Sequence, residues 1–389
     1  MRWSASTPIP IPLRGSTASP GRGRVNHYYF DLNRDWAFLT QVESRARIAA
    51  YLATPPQVHV DYHEMGPLLI LLFLSPEFPV NANLPADVVT WAKSFAKANA
   101  SAFDKFGWSY YTRENFDLFY PGYGDSWPTF QGAIGMTYEQ AGHSTAGLAL
   151  KRDDEQILTL RDRVWHHFTT AFATCETAAR NRKELLSRFL QWHRSAIAEG
   201  EDGVVREYLI KEGDEPGRAA ALAGLLVAQG IQVFRASEAF VAGPLRDFDG
   251  KEVDRESFPA GTYLVPLAQP RKRLANALLE PASQMRDLYF YDVSAWSFPA
   301  PSASPHTNYT RRRGCSAPLR RLPARGKGLG RGSQECGLVP RRLEASEMRR
   351  SSSRPSSKTV RASRLPPKSS ASAEDLGPRH GDHPGAQQW

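Results

Sequence analysis

The chain has 389 residues, 41% of them hydrophobic, and three cysteines, Cys175, Cys315 and Cys336. That length allows two ordinary domains with sizeable cores, while an odd cysteine count with no CxxC pair indicates neither a zinc ribbon nor a disulfide framework. The net charge of +9 sits at the ends: residues 301–389 hold 18 Lys and Arg against 6 Asp and Glu, and residues 1–24 hold 4 Arg and no acid, so 25–300 is a mildly acidic body of net charge −7.

In chain order, residues 1–24 are rich in Pro, Ser, Gly and Arg, which predicts a disordered basic segment. They contain no apolar run fit for a signal peptide. Val58–Tyr62 (VHVDY) reads as a buried strand ending in polar residues. The run Pro67–Leu74 (PLLILLFL) is too short to span a bilayer, so the expectation for the chain as written is a soluble, cytoplasmic protein with no membrane partner. Ala86–Phe106 has helical spacing, and Ala133–Tyr138 (AIGMTY) reads as a second buried strand followed by a carboxylate. Strands whose carboxyl ends deliver His, Asp and Glu are where open α/β sheets place their chemistry.

Glu155–Ala198 carries a long helical pattern with little Gly or Pro. Beyond it the pattern alternates. Val204–Ile210 reads as a strand, Gly217–Gln229 as a helix stopped by Gly230, Ile231–Ala236 and Tyr263–Leu267 as strands, and Arg273–Glu280 as a helix. A small second α/β domain is expected over 201–296. After Trp296 the composition turns to Ser, Pro, Arg and Gly, so 297–389 is expected to be a disordered basic tail.

Three constellations carry candidate chemistry. In Phe30-Asp31-Leu32-Asn33-Arg34-Asp35-Trp36, the adjacent Asn33 and Arg34 can hold a carboxylate, the guanidinium by a bidentate fork and the amide by one more donor. In Val60-Asp61-Tyr62-His63-Glu64-Met65-Gly66, His63 can bind a metal through one nitrogen while Asp61 or a carbonyl fixes the other. In FDLFYPGYGDSWPTFQGAIGMTYEQAG (116–142), a Tyr- and Gly-rich loop leads to Glu139 at the end of an apolar strand, where it can serve as a general base. Each also has a plain reading: a solvated Arg, a hydrogen-bonded structural His, a strand-end surface Glu.

The serial order of these motifs resembles that of the zinc carboxypeptidases, the carboxypeptidase A-like metallopeptidases, over residues 24–145. The likeness is to large bacterial members reading NHYYFDLNRDW, DYHEMG and GYGDSWP, and residues 204–296 look like the extra domain that follows the peptidase there. The resemblance implies a partial carboxypeptidase-like mixed sheet with flanking helices over 25–200. It implies a zinc cofactor and peptide or protein C-termini as partners, with hydrolysis of the C-terminal residue by zinc-activated water. By the same resemblance Asn33 and Arg34 grip the substrate carboxylate, Arg24 polarises the scissile carbonyl, and His63 is a zinc ligand. Tyr120 closes over substrate, with Tyr123 as the alternative, Glu139 is the general base and acid, and Gly124–Trp127 shape the specificity pocket. Family members are often exported.

One part of the pattern is absent. The family's first two zinc ligands form a His-x-x-Glu motif upstream of the Asn–Arg pair, and no His in this chain has a Glu three places later. Catalytic zinc takes three protein ligands and an open position, so the chain is expected to bind zinc weakly or not at all and to be inactive. The upstream part should also supply early strands, leaving a strand edge or core face open. The run after His63 and both termini contrast in composition with the rest, as a shifted reading frame would produce. Two other functions fit the sequence: a non-catalytic module binding peptide carboxylates, and nucleic-acid binding through the basic tail, which has few aromatics for stacking.

Overall fold

The computed structural model describes residues 25–65, 71–73, 76–112, 117–142, 149–152, 155–213, 216–285, 308–311 and 319–321. They lie in one compact unit, Met1–Lys327. The architecture is mixed α/β, with seven helices and two principal sheets among the described residues.

The first sheet has four strands in the order Val58–Met65, Ile134–Ala141, Leu71–Phe73, Tyr110–Thr112. The first pair is parallel, the second antiparallel and the third parallel, so the sheet is mixed. Ile134–Ala141 is buried along its whole length, as a strand covered on both faces should be. Side chains alternate in direction along it. Ile134, Met136 and Tyr138 enter a core with Phe95, Phe103 and Leu185, while Gly135, Thr137 and Glu139 take the other face. The helix Asp87–Asp104 reaches that core because Val88, Ala92, Phe95, Ala96, Asn99 and Phe103 recur at helical spacing on its buried side.

The predicted helical stretch 155–198 is two helices, Leu160–Arg180 and Arg182–Asp202. Thr159 and Asp162 form a reciprocal capping box at the first, satisfying two orphan N-terminal groups. At Asn181 the backbone leaves the helical region, and its Nδ2 donates to the Thr177 carbonyl at 2.8 Å. Arg188 ties the second helix to the body through Asp87 (2.7 Å) and the Gly132 carbonyl (2.7 Å).

The second sheet has seven strands, Glu252–Val253, Leu245–Asp247, Asn308–Arg311, Glu207–Ile210, Tyr263–Pro266, Phe234–Ala236 and Leu319–Arg321, all paired antiparallel. Asn308–Arg311 and Leu319–Arg321, within the stretch expected to be a basic tail, supply one interior and one edge strand. What places them there is backbone pairing, which short polar segments can supply as well as apolar ones. Residues 1–24, 286–307 and 322–389 lie outside the described residues.

The expected boundary near residue 200 falls inside Arg182–Asp202, and the main core crosses it. Trp36, Ile48, Trp127, Phe130 and Trp192 share one cluster with Tyr208, Leu222, Leu226, Val265, Leu274 and Leu278. The fully buried Gln229 seals the junction. It accepts from Trp127 Nε1 at 2.6 Å and donates to the carbonyls of Trp36 (3.0 Å) and Ala37 (2.6 Å).

Candidate functional site

The parallel pairing of Val58–Met65 with Ile134–Ala141 sets His59 against Gly135, Asp61 against Thr137 and His63 against Glu139. Registered residues of neighbouring strands point to the same face. His59, Asp61 and His63 therefore share one face with Thr137 and Glu139. Glu64 goes to the other face, where its Oε1 meets Arg163 Nη1 at 2.8 Å.

The Asn–Arg segment lies against this face. Asn33 Nδ2 is 3.1 Å from His63 Nε2, and its Oδ1 accepts from Trp36 Nε1 (3.1 Å) and from the Gly124 amide (2.8 Å). Those two donors fix the amide's orientation, with nitrogen towards the histidine. Asp61 Oδ2 approaches the same His63 nitrogen at 2.7 Å, so that nitrogen donates to the carboxylate when it carries the proton and accepts from the Asn33 amide when it does not. Gly124 is required where it stands: a Cβ there would lie 2.1 Å from Asp61 Oδ2 and 2.8 Å from Asn33 Oδ1.

Arg34 sits beside Asn33 with its guanidinium 4.6 Å from the centre of the Tyr123 ring and 3.9 Å from Asp31 Oδ2, its side chain 25% exposed. The buried Tyr120 donates its hydroxyl to the Arg34 carbonyl at 3.2 Å and packs edge-on to Tyr123. Glu139 is buried beside His63. Thus Asn33, Arg34, His63, Tyr120, Tyr123 and Glu139 converge on one region. Arg24 lies outside the described residues.

The loop Gly124–Trp127 packs inward and opens a short helix. Asp125, Ser126 and Trp127 are buried. Asp125 caps the short helix Ser126–Phe130, accepting from the Ser126 amide at 2.6 Å and from Thr137 Oγ1 at 3.0 Å. Burial, and then the nearby Asp61 charge, push its carboxyl up to about 6 against the pull of those hydrogen bonds. Arg47 interacts electrostatically with Asp61 and Asp35. Its guanidinium lies 3.7 Å from the centre of the Trp36 ring, donates to the Leu32 carbonyl at 2.9 Å, and is lowered in pKa chiefly by burial, with Asp61 and Asp35 opposing. Sequence reasoning missed Arg47 and the structural role of Asp125. An Asp followed by Ser-Trp-Pro is a helix-start signal that could have revealed the latter.

Behind the His63 strand, His167 Nε2 contacts the His63 carbonyl at 3.1 Å and His166 Nδ1 contacts Gln140 Oε1 at 2.8 Å. Both are shifted down in pKa by burial first of all, His166 to about 4. His27 is exposed and rests on Tyr28.

A carboxylate at one imidazole nitrogen, as at Asp61 and His63, is how metal-bound histidines are commonly oriented. The donor set ends there. Among the described residues no group of three or more His, Cys, Asp or Glu could hold a metal ion, so the described residues do not make up the three-ligand set of a catalytic zinc centre. Also among them, no helix is long and apolar enough to cross a membrane. Comparison with protein-family models, with curated proteins and with solved structures finds no match.

Proposed function

We propose that this chain is a zinc metallocarboxypeptidase-family protein that retains recognition of a peptide's C-terminal carboxylate but does not hydrolyse peptides. The supporting observation is the convergence of motifs far apart in sequence: Asn33 on His63, His63 across from Glu139, and Tyr120 on Arg34. Asn33 is engaged by Trp36, Gly124 and His63, and Arg34 is the cation of the pair, 3.9 Å from Asp31 Oδ2, that would meet the carboxylate. Its guanidinium is partly exposed and backed by the Tyr123 ring, an arrangement suited to planar anions. The loss of hydrolysis rests on the donor set: among the described residues no group of three or more His, Cys, Asp or Glu could hold a metal, and without one Glu139 would face water of pKa about 15.7.

Calorimetry with a peptide carrying a free C-terminus and with its C-terminal amide tests the reading. One charge-assisted contact of about 1.5–3 kcal/mol predicts roughly 10- to 150-fold weaker binding of the amide, and a similar loss on Arg34→Ala. Equal binding of both peptides, or of neither, would refute carboxylate recognition. Stoichiometric zinc together with C-terminal trimming abolished by Glu139→Gln would refute the loss of hydrolysis.

A further inference from the structure

The outward face of the helix Leu160–Arg180 is apolar where a surface helix is ordinarily charged. Val164, Trp165, Phe168 and Phe172 are 60%, 49%, 56% and 65% exposed. The rings form one continuous row, with Trp165 stacked on Phe168 at 5.3 Å and Phe168 on Phe172 at 6.4 Å between centroids. The opposite side of the helix is already used, with Arg163, Thr170, Ala173 and Thr174 buried against the body. Scattered exposed apolar residues are normal, but a contiguous row marks an interaction surface.

Two features point to a second copy of this chain as the occupant. The first is spacing. Arg161, Trp165, Phe168, Phe172 and Cys175 follow one another at steps of four, three, four and three, the seam of a helix that packs along another helix. With about 150–250 Å² per aromatic side chain, the half-exposed rings of two copies remove about 500–850 Å² from water, the scale of a weak, reversible pair.

The second is charge. Arg161 and Glu176 stand at opposite ends of the aromatic row, and both are exposed. Suppose two such helices run antiparallel about a two-fold axis passing between Phe168 and Thr169. Each Trp165 then meets the partner's Phe172, and each Arg161 meets the partner's Glu176. A parallel pair would instead set like charges together. Arg180, which already holds Glu176 within its own helix, would flank the new contact.

We propose that the Leu160–Arg180 helix is a self-association surface through which two copies pair antiparallel in this register. A two-fold contact of this kind is self-complementary and closes at the dimer. It is independent of the carboxylate-recognition reading.

Sedimentation equilibrium of the full chain tests it. The expected species is a dimer. Phe168→Asp weakens it by at least about 30-fold, as a central aromatic anchor should, with an unchanged circular dichroism spectrum because the ring is exposed in the monomer. Arg161→Glu weakens association about two- to fivefold, the effect of one exposed ion pair, and adding Glu176→Arg restores it. In a Cys315→Ser, Cys336→Ser background, oxidation leaves Cys175 uncross-linked, since the antiparallel register holds the two thiols about 20 Å apart along the axis. A monomer at all concentrations, an assembly insensitive to Phe168→Asp, a charge swap that fails to restore, or a Cys175–Cys175 cross-link would each overturn the proposal.

Discussion

His63 and Glu139 stand directly across from each other in the parallel pairing of Val58–Met65 with Ile134–Ala141. Neighbouring strands lie about 4.8 Å apart, so an imidazole and a carboxylate from segments far apart in sequence are held side by side by backbone hydrogen bonds alone. A slip of one residue would send one of them to the opposite face. The register is locked by what the alternate residues do. Met136 and Tyr138 are committed to the core on one side, and Thr137 is committed to Asp125 on the other.

Asn33 organises this face from outside the sheet. Replacing it with Ala strands the Trp36 indole N–H and the Gly124 amide, each without its acceptor. At about 1–3 kcal/mol for each orphaned group, Asn33→Ala is expected to destabilise by about 2–4 kcal/mol. Urea unfolding followed by tryptophan fluorescence should show the midpoint falling at unchanged slope.

Gln229 is the corresponding bond across the middle of the body. Gln229→Leu removes one acceptor and the donor to two carbonyls in a fully buried place. A loss of about 3–5 kcal/mol is expected. Because one core spans both sides, calorimetry of the wild type should show a single transition covering the segments before and after residue 200. Two separated transitions would mean that the shared core does not couple them.

Asp125 makes stability fall as pH rises. Its carboxyl is raised from an ordinary value of 3.8 to about 6, so between those values the native state binds more protons than the unfolded chain. Stability is greatest below about pH 4 for this group and declines through pH 6. Asp125→Asn keeps an acceptor for the Ser126 amide and a partner for the Thr137 hydroxyl. It is expected to flatten the dependence and to gain at most about 3 kcal/mol at pH 7. Denaturation midpoints at pH 4, 5, 6 and 7 for both proteins provide the check.

His166 acts in the opposite sense. Burial against Trp108 and Phe103 lowers it from 6.5 to about 4, with Asp162 opposing and His167 and Arg152 adding to the shift. The unfolded chain binds the proton first, so the contribution of this ring is complete above pH 6.5 and is lost as pH falls towards 4. Allowing for its partial exposure, about 2 kcal/mol should disappear over that window. The His166 ring signals in nuclear magnetic resonance should not titrate near pH 6.5.

The elements legible in the sequence were those with a strong period. Val58–Met65, Ile134–Ala141, Asp87–Asp104 and Pro216–Ala228 all carry apolar residues at the spacing their geometry needs. Glu252–Val253 and Glu256–Phe258 are too short to show any period. Asn308–Arg311 is a strand because it is flanked on both sides by partners, which no local pattern announces. The boundary expected near residue 200 rested on a change of pattern, and pattern does not reveal that Gln229 reaches back to Trp36 and Ala37. At the site, the motifs named the residues that converge. What they could not show is the direction of each amide and carboxyl: that Asn33 is spent on Trp36, Gly124 and His63, and that Asp125 turns inward.

The position of Asn308–Arg311 between Leu245–Asp247 and Glu207–Ile210 has a consequence for synthesis on the ribosome. Both neighbours are translated well before the strand that joins them. At the usual 5–20 residues per second, the interval from Pro266 to Arg311 is roughly 2–9 s. During that time two strand edges face each other across an unfilled slot, each with a row of unpaired backbone groups. Nascent chains arrested before Asn308 should expose this slot to protease and to holding chaperones. Chains released after Arg321 has cleared the exit tunnel should not. The strand that fills this slot is an interior one, and only the edge strand Leu319–Arg321 follows it in the chain.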